Sequence, residues 1–287
     1  MLQPNTKILI VGLGLLGGSY AMALTEAGYE VGAVDLSAKS IAYALEKGII
    51  AHGESQVSEA YLKNFDLVVL ALYPETAVWW IKTYQSFLKP NALITDVTGV
   101  KSTVVYPIQD ALRPDLEFIG AHPMAGKEVS GVEYANSKMF SGANYIVTPT
   151  DKNTPEAIAL CEDIGRVLGF GRISRLSPEE HDQMIGYLSQ LTHCIAVSLM
   201  TARDTEALID YSGDSFRDLT RIAKINEKMW SELFLQNKAP LLHQMDLFIE
   251  QFEKLRHYLL TDNKEKMEEM MRLSTRQRQL FDIHHGK

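Results

Sequence analysis

Residues 7–35 constrain the fold more than any other stretch of the chain. Lys7-Ile8-Leu9-Ile10-Val11 reads as a strand, Gly12-Leu13-Gly14-Leu15-Leu16-Gly17-Gly18-Ser19 as a turn, and Tyr20 to Ala27 as a helix stopped by Gly28. Glu30-Val31-Gly32-Ala33-Val34 is then a second strand, ending on Asp35. Three spaced glycines alone are a weak signal. Set between a strand and a helix, with an acid about 20 residues further on, they form the fingerprint of a dinucleotide-binding βαβ unit. Gly12 permits the tight turn, Gly14 lets the backbone approach a pyrophosphate, and Gly17 lets helix and strand pack closely. The helix start then points unpaired N–H groups at the phosphates. The plainer alternative is that the glycines only let the βαβ unit pack without a ligand, and the full context disfavours it.

Asp35 selects the dinucleotide. A carboxylate there accepts from both ribose hydroxyls of NAD, whereas the 2′-phosphate of NADP would meet a like charge. The residues that follow, Leu36-Ser37-Ala38-Lys39, contain no arginine to offset it. NAD is the expected cofactor.

Further along, strands are expected at Phe65–Leu72, Ala92–Asp96, Glu117–Ala121, Asn144–Thr148 and Gly171–Ser174, with helices between them. The run Phe65–Leu72 is apolar throughout, as in a parallel strand buried on both faces. Alternation of strand and helix implies an α/β fold with an N-terminal Rossmann-type doubly wound parallel sheet. Ligands of such sheets sit at the carboxyl ends of the strands. Asp35, Tyr73-Pro74, Thr98 and His122 all fall at expected strand ends. The expected cofactor-binding set is Gly12, Gly14, Leu15, Leu16, Gly17, Asp35, Leu72, Tyr73, Pro74, Thr76 and Thr98. Trp79 and Trp80 are expected to pack against the sheet.

Past Ser177-Pro178 no strand pattern is convincing. Ser177 as N-cap, Pro178 at the first position and Glu179-Glu180 in the first turn open a helix expected to reach about Arg203. From Leu241 a heptad-like seam runs through Met245, Phe248, Phe252, Leu255 and Leu259, suited to a bundle or to a dimer. Two domains are expected: 1–175, binding NAD, and an all-α C-terminal domain, 176–287, for substrate binding and dimerisation.

The 287 residues carry a formal net charge of −8, which argues against nucleic acid or anionic membrane as partners. No apolar run is long enough to span a bilayer and the N-terminus lacks a signal-peptide pattern, so a cytoplasmic location is expected. Cys161 and Cys194 read as free buried thiols, and no metal site is expected. An anionic substrate would need local cations against the general field.

His122 is the strongest catalytic candidate: a histidine at a strand end, kept extended by Pro123, and the usual general base near neutral pH. Ser189 and His193 stand one helical turn apart with Gly186 on the same side, which on spacing alone fits a pocket or a solvated face equally. Arg221, in Asp218-Leu219-Thr220-Arg221-Ile222-Ala223, offers a planar fork for a carboxylate, or a surface ion pair with Asp218. His52, His181, His243 and His257 read as ordinary helix or loop histidines.

Taken together, Gly12–Ser19, the turn Asp96–Lys101, His122-Pro123-Met124-Ala125-Gly126-Lys127-Glu128, Ser189-Gln190-Leu191-Thr192-His193 and Asp218–Ala223 resemble the prephenate dehydrogenase family, which includes the arogenate dehydrogenases. The resemblance covers nearly the whole chain. It implies an NAD-dependent oxidative decarboxylation in tyrosine biosynthesis, giving 4-hydroxyphenylpyruvate from prephenate; a homodimer through the helical domain is expected from the heptad-like seam. In that family His122 would match the histidine that hydrogen-bonds the substrate hydroxyl, and Arg221 the arginine that binds a substrate carboxylate. His193 and Ser189 would line the same pocket, Trp230 would be an aromatic wall, and Glu128 and Asp218 would belong to a gating ionic network. The family often has glycine then serine where this chain has Thr98-Gly99. Thr98, one residue early, is the expected substitute for that serine. Lys127 stands where a small hydroxyl residue is common and bears on recognition of the substrate side chain. No mutase domain is expected before residue 1 and no regulatory domain after residue 287, so feedback by tyrosine would act at or near the active site. Arogenate dehydrogenase, another two-domain reductase and a non-catalytic NAD sensor are the alternatives.

Overall fold

The computed structural model describes residues 2–126, 129–204 and 206–284. It divides into two compact units, Met1–Lys238 and Ala239–Lys287. The first is built on an eight-stranded sheet of order β3-β2-β1-β4-β5-β6-β7-β8. Its strands are β1 (Lys7–Val11), β2 (Glu30–Val34), β3 (His52–Glu54), β4 (Leu67–Leu70), β5 (Leu93–Asp96), β6 (Glu117–Met124), β7 (Asn144–Thr148) and β8 (Arg172–Arg175). Helices α1 (Leu15–Glu26), α2 (Ala38–Glu46), α3 (Glu59–Leu62), α4 (Pro74–Tyr84), α5 (Ser102–Ala111) and α6 (Pro155–Val167) connect them.

Alternate residues of each strand serve opposite faces. Ile8, Ile10, Val31 and Val69 pack with Tyr20 and Leu24 of α1 and with Cys161 and Ile164 of α6. Leu9, Val11, Val68 and Leu70 pack with Trp80 and Ile81 of α4 and with Val104 and Ile108 of α5. Burial on both sides is why these strands read as unbroken apolar runs. Trp80 is a core residue as expected, but Trp79 is 55% exposed, since the face it occupies turns from the sheet. Cys161 is buried, whereas Cys194 is only half-buried.

The glycine turn follows its physical reading. Gly12 has φ +96°, and a Cβ on Gly17 would stand 1.9 Å from the Gly12 carbonyl oxygen. Gly17→Ala is therefore expected to force helix from strand and lower stability by about 1–3 kcal/mol, measured by urea titration. A neutral result would mean that α1 can slide along β1.

The sheet departs from the expected all-parallel form at β6. Residues Leu93, Ile94 and Thr95 of β5 pair in parallel with Glu117, Phe118 and Ile119 of β6. Gly120 to Met124 instead pair antiparallel with β7, His122 opposite Ile146. His122 thus lies within a strand rather than at its end, as does Pro123, whose missing N–H costs nothing on a side that β5 has left.

Side chains replace the lost ladder there. Asp96 Oδ1 accepts from the Ala121 N–H at 3.0 Å, and Lys101 Nζ donates to the Ala121 carbonyl at 2.5 Å and to Asp96 Oδ2 at 2.6 Å. Both side chains are fully buried. Burial pulls the Lys101 pKa below its ordinary value, and the Asp96 carboxylate opposes that pull.

Beyond β8 the unit is helical. The helix expected over 178–203 is present as an unbroken run, Pro178–Thr201, in which a π-helical turn (Gly186–Gln190) joins α7 (Pro178–Ile185) to α8 (Leu191–Thr201). α7 opens with a complete capping box between Ser177 and Glu180. α9 (Asp214–Thr220), a 3₁₀ turn (Arg221–Ala223) and α10 (Glu227–Gln236) follow.

In the second unit, α11 (Lys238–Leu260) and α12 (Lys264–His284) are long helices. In the single chain Phe248, Phe252 and Leu259 of the expected seam are 37%, 60% and 67% exposed. No helix among the described residues is long and apolar enough to cross a membrane.

Candidate active site

The carboxyl ends of β1 and β2 present the nucleotide cradle. α1 starts at Gly14 with no side-chain cap and no acid in its first turn, so its first N–H groups remain available to an anion. Gly14 is exposed, and a Cβ built there meets nothing within 4 Å. Asp35 accepts from the N–H groups of Leu13 at 2.6 Å and Ser37 at 2.7 Å, which aims its carboxylate and leaves further lone pairs for ribose hydroxyls. Leu72 lies beside Gly12. Tyr73 caps α4 and is 48% exposed, Pro74 is the first residue of that helix, and Thr76 is exposed. Leu15 and Leu16 occupy the first turn of α1. The residues present fit a dinucleotide.

On the neighbouring strands the geometry gathers a set of groups that spacing did not reveal. His122 Nδ1 lies 2.8 Å from His181 Nε2, and His181 Nδ1 lies 2.9 Å from Asp182 Oδ1. Asp182 in turn accepts from the backbone N–H groups of Lys101 and Ser102, both at 2.8 Å, at the start of α5. Burial would raise the Asp182 pKa, but hydrogen bonds from His181 and Ser102 hold it below the ordinary value. Burial pushes His122 well below 6.5, aided by neighbouring His181 and Lys101. Burial also lowers His181, against the pull of Asp182.

Reading His181 as an ordinary histidine is therefore corrected: its ring is the direct partner of His122. The expectation for Thr98 is corrected as well. Its buried hydroxyl donates to Asp96 and lies 2.9 Å from the Val100 carbonyl, and it accepts from Lys101 at 3.1 Å. Those bonds stabilise the turn after β5 and leave no proton to share with His122. At Gly99, where the family's serine would stand, a Cβ would lie 3.9 Å from His122 Nε2 and 3.5 Å from Leu233 Cδ2.

α10 supplies the facing wall. Its Glu232 accepts from the Glu75 N–H at the start of α4 at 3.0 Å, and its Gln236 accepts from the Thr103 hydroxyl on α5 at 3.0 Å. Buried Asn237 donates to the Asp182 carbonyl at 2.8 Å and to Gln190 Oε1 at 2.7 Å, while Gln190 donates to the Leu233 carbonyl at 3.2 Å. The π-helical turn re-aims Gln190 inward, a shift that strict helical spacing does not foresee. One turn before Leu233, Trp230 stacks on His193 with ring centroids 3.7 Å apart. His193 Nδ1 donates to the Ser189 carbonyl at 2.9 Å, so the backbone of Ser189, rather than its hydroxyl, makes that contact.

Leu233 and Gly99 thus connect the His122 edge to the Trp230–His193 stack. Arg221 opens the 3₁₀ turn after α9, a turn packed on α8, and Asp218 is exposed on α9. Lys127 and Glu128 lie outside the described residues. The His181-Asp182 pair carried one faint signal: adjacent acid and imidazole in the first turns of a strongly capped helix. The only sequence signal at Lys101 is its place at the end of the turn Asp96–Lys101.

The model for the prephenate dehydrogenase nucleotide-binding domain matches residues 20–169, and that for the prephenate dehydrogenase dimerization domain matches residues 177–273. The chain belongs to the prephenate dehydrogenase family. A prephenate dehydrogenase of Bacillus subtilis (strain 168) is 30% identical, the match covering 93% of this chain and 74% of that protein. A cyclohexadienyl dehydrogenase of Zymomonas mobilis is 32% identical, over 93% of this chain and 96% of that one. Among solved structures, prephenate dehydrogenase from A. aeolicus in complex with hydroxyphenyl propionate and NAD+ superposes with a TM-score of 0.88. That match has 31% identity and covers 96% of this chain and 98% of the other.

Proposed function

We propose that this chain catalyses the NAD-dependent oxidative decarboxylation of prephenate to 4-hydroxyphenylpyruvate. The observation that supports it most is the His122 ring, bonded through Nδ1 to His181 and turned through Nε2 toward the space beside Gly99. A group so placed can take the proton of a substrate hydroxyl.

Gly12, Gly14, Leu15, Leu16 and Gly17 would hold the pyrophosphate, Asp35 the adenosine ribose, and Leu72, Tyr73, Pro74 and Thr76 the flank of the cofactor; Thr98 shapes the turn beneath it. NAD, when bound, supplies the acceptor for the hydride leaving the hydroxyl-bearing ring carbon. His122 Nε2 removes the hydroxyl proton as that carbon becomes a carbonyl. Loss of carbon dioxide then leaves an aromatic ring, so the protein need chiefly position the substrate and accept one proton. Arg221 would pair with a substrate carboxylate and offset the general negative field. Trp230, stacked on His193, would wall the ring, with Ser189 holding His193 in place. On the family resemblance, Glu128 and Asp218 are proposed as members of an ionic network that gates the pocket, and Lys127 as bearing on recognition of the substrate side chain.

Residues 1–175 would serve the cofactor and 176–287 the substrate and dimer. The exposed row Phe248, Phe252 and Leu259 on α11, within the match to a dimerization domain, supports a homodimer. A cytoplasmic location fits the reaction.

Cyclohexadienyl dehydrogenase activity in a relative 32% identical keeps arogenate as a second substrate to test. Prephenate and arogenate, each with NAD and with NADP, are compared by reduced-cofactor absorbance. Turnover of prephenate with NAD is expected, and preference for NADP would overturn the role of Asp35. Absence of turnover with either acid would overturn the catalytic reading. Arg221→Gln is expected to raise the KM for prephenate by about 10–100-fold through loss of a charged hydrogen bond, with kcat changed far less.

A further inference from the structure

We propose that His181 and Asp182 are positioning residues for His122: they keep a proton on His122 Nδ1 and so make Nε2 the basic nitrogen. The inference rests on the reading of His122 as proton acceptor given above.

The direction of each hydrogen bond follows from the end of the chain of groups. Asp182 already accepts two backbone N–H groups at the start of α5, from Lys101 and Ser102. As a carboxylate it can only accept, so the nitrogen 2.9 Å from it, His181 Nδ1, carries the proton. In neutral His181 the other nitrogen, Nε2, is then a bare acceptor. It faces His122 Nδ1 at 2.8 Å, a separation that requires one proton between the two nitrogens. That proton belongs to His122 Nδ1. The opposite tautomer of His122 would set two lone pairs against each other inside the protein.

The arrangement is held from several sides. His181 is fully buried, and α7, which carries both residues, is locked by its capping box and by Asn237 bonded to the Asp182 carbonyl. No side chain on residue 99 reaches Nε2 from the substrate side, so the orientation of the ring is set from behind. The substrate proton goes to Nε2 while Nδ1 keeps its own. The logic is that by which a buried acid fixes the tautomer of a catalytic histidine in hydrolases, extended here by one imidazole.

The test compares the full-length protein with His181→Gln, which retains an acceptor near the place of Nε2, and His181→Met, which removes it at similar volume. Long-range proton–nitrogen correlation on isotope-labelled protein, assigned with His122→Asn, reports the tautomer without substrate. Wild type and His181→Gln should have His122 protonated on Nδ1, and His181→Met should gain the Nε2–H form. In steady-state assays with prephenate and NAD, His181→Met should lose about 10²–10⁴ in kcat at unchanged KM for NAD, and His181→Gln should recover most of it. A wild-type His122 protonated on Nε2, or a Met variant as active as the Gln variant, would overturn the proposal. Should His181→Met not fold, the wild-type tautomer and the activity of His181→Gln decide the matter. A wild type that turns over neither acid defeats the functional reading, and the tautomer measurement still decides this one.

Discussion

Replacing His122 with asparagine is expected to reduce turnover of prephenate by about 10²–10⁴ while NAD affinity stays within twofold of wild type. Asparagine can still donate to His181 Nε2, so the fold around β6 should persist, but it cannot take a proton at the position of Nε2. Cofactor binding, followed by fluorescence or calorimetry, separates loss of the base from loss of the site. Full turnover in the variant would remove His122 from the chemistry. The pH profile carries an independent check. Burial, then the proximity of His181 and Lys101, holds His122 well below 6.5. A base acts unprotonated, so kcat/KM should rise with pH through that depressed pKa and be level above it. The acid limb should therefore lie below pH 6.5 in wild type and disappear in His122→Asn. A limb at or above 6.5 would mean that the ring is better solvated than its packing implies.

The largest effect on stability is expected at Lys101. In Lys101→Met the Asp96 carboxylate stays buried with its compensating charge gone, and the Ala121 carbonyl loses its donor. Breaking a buried pair from one side costs about 3–5 kcal/mol, which would appear as a lower urea midpoint at unchanged slope. The folded fraction should also lose activity, because Ala121 precedes His122 on the half of β6 that β5 no longer supports. A shift under about 1 kcal/mol would show that water replaces the ammonium at little cost.

Much of the first unit was legible in the chain because its signals are local. The glycines, the apolar strands and Asp35 each declare themselves within a few residues, and Gly12 and Gly17 meet the steric demands assigned to them. The reversal at β7 was not legible: Asn144–Thr148 reads as a buried strand in either direction, and the direction is settled by which neighbour β6 finds after Ile119. Thr98 was placed one residue from a familiar hydroxyl position, yet a hydroxyl's role depends on its rotamer and on Asp96, neither visible in spacing. His181 lies 59 residues from His122. Such a pairing belongs to tertiary structure alone, and the π-helical turn further breaks the register from which helical faces are counted.

The change of partner along β6 carries a consequence for how such enzymes can diversify. His122, the proposed base, is borne by the sheet, whereas the helical segment that carries α10 is joined to the first turns of α4 and α5 and to the Asp182 carbonyl of α7 by polar bonds from Glu232, Gln236 and Asn237. On the roles proposed above, exchanging α10 would alter the Trp230 wall of the pocket and leave His122, His181 and Asp182 in place. On that reading the aromatic wall and the proton-accepting groups are separately inheritable, and a chimaera carrying a relative's segment in place of residues 227–236 is expected to change the KM for the ring acid more than kcat.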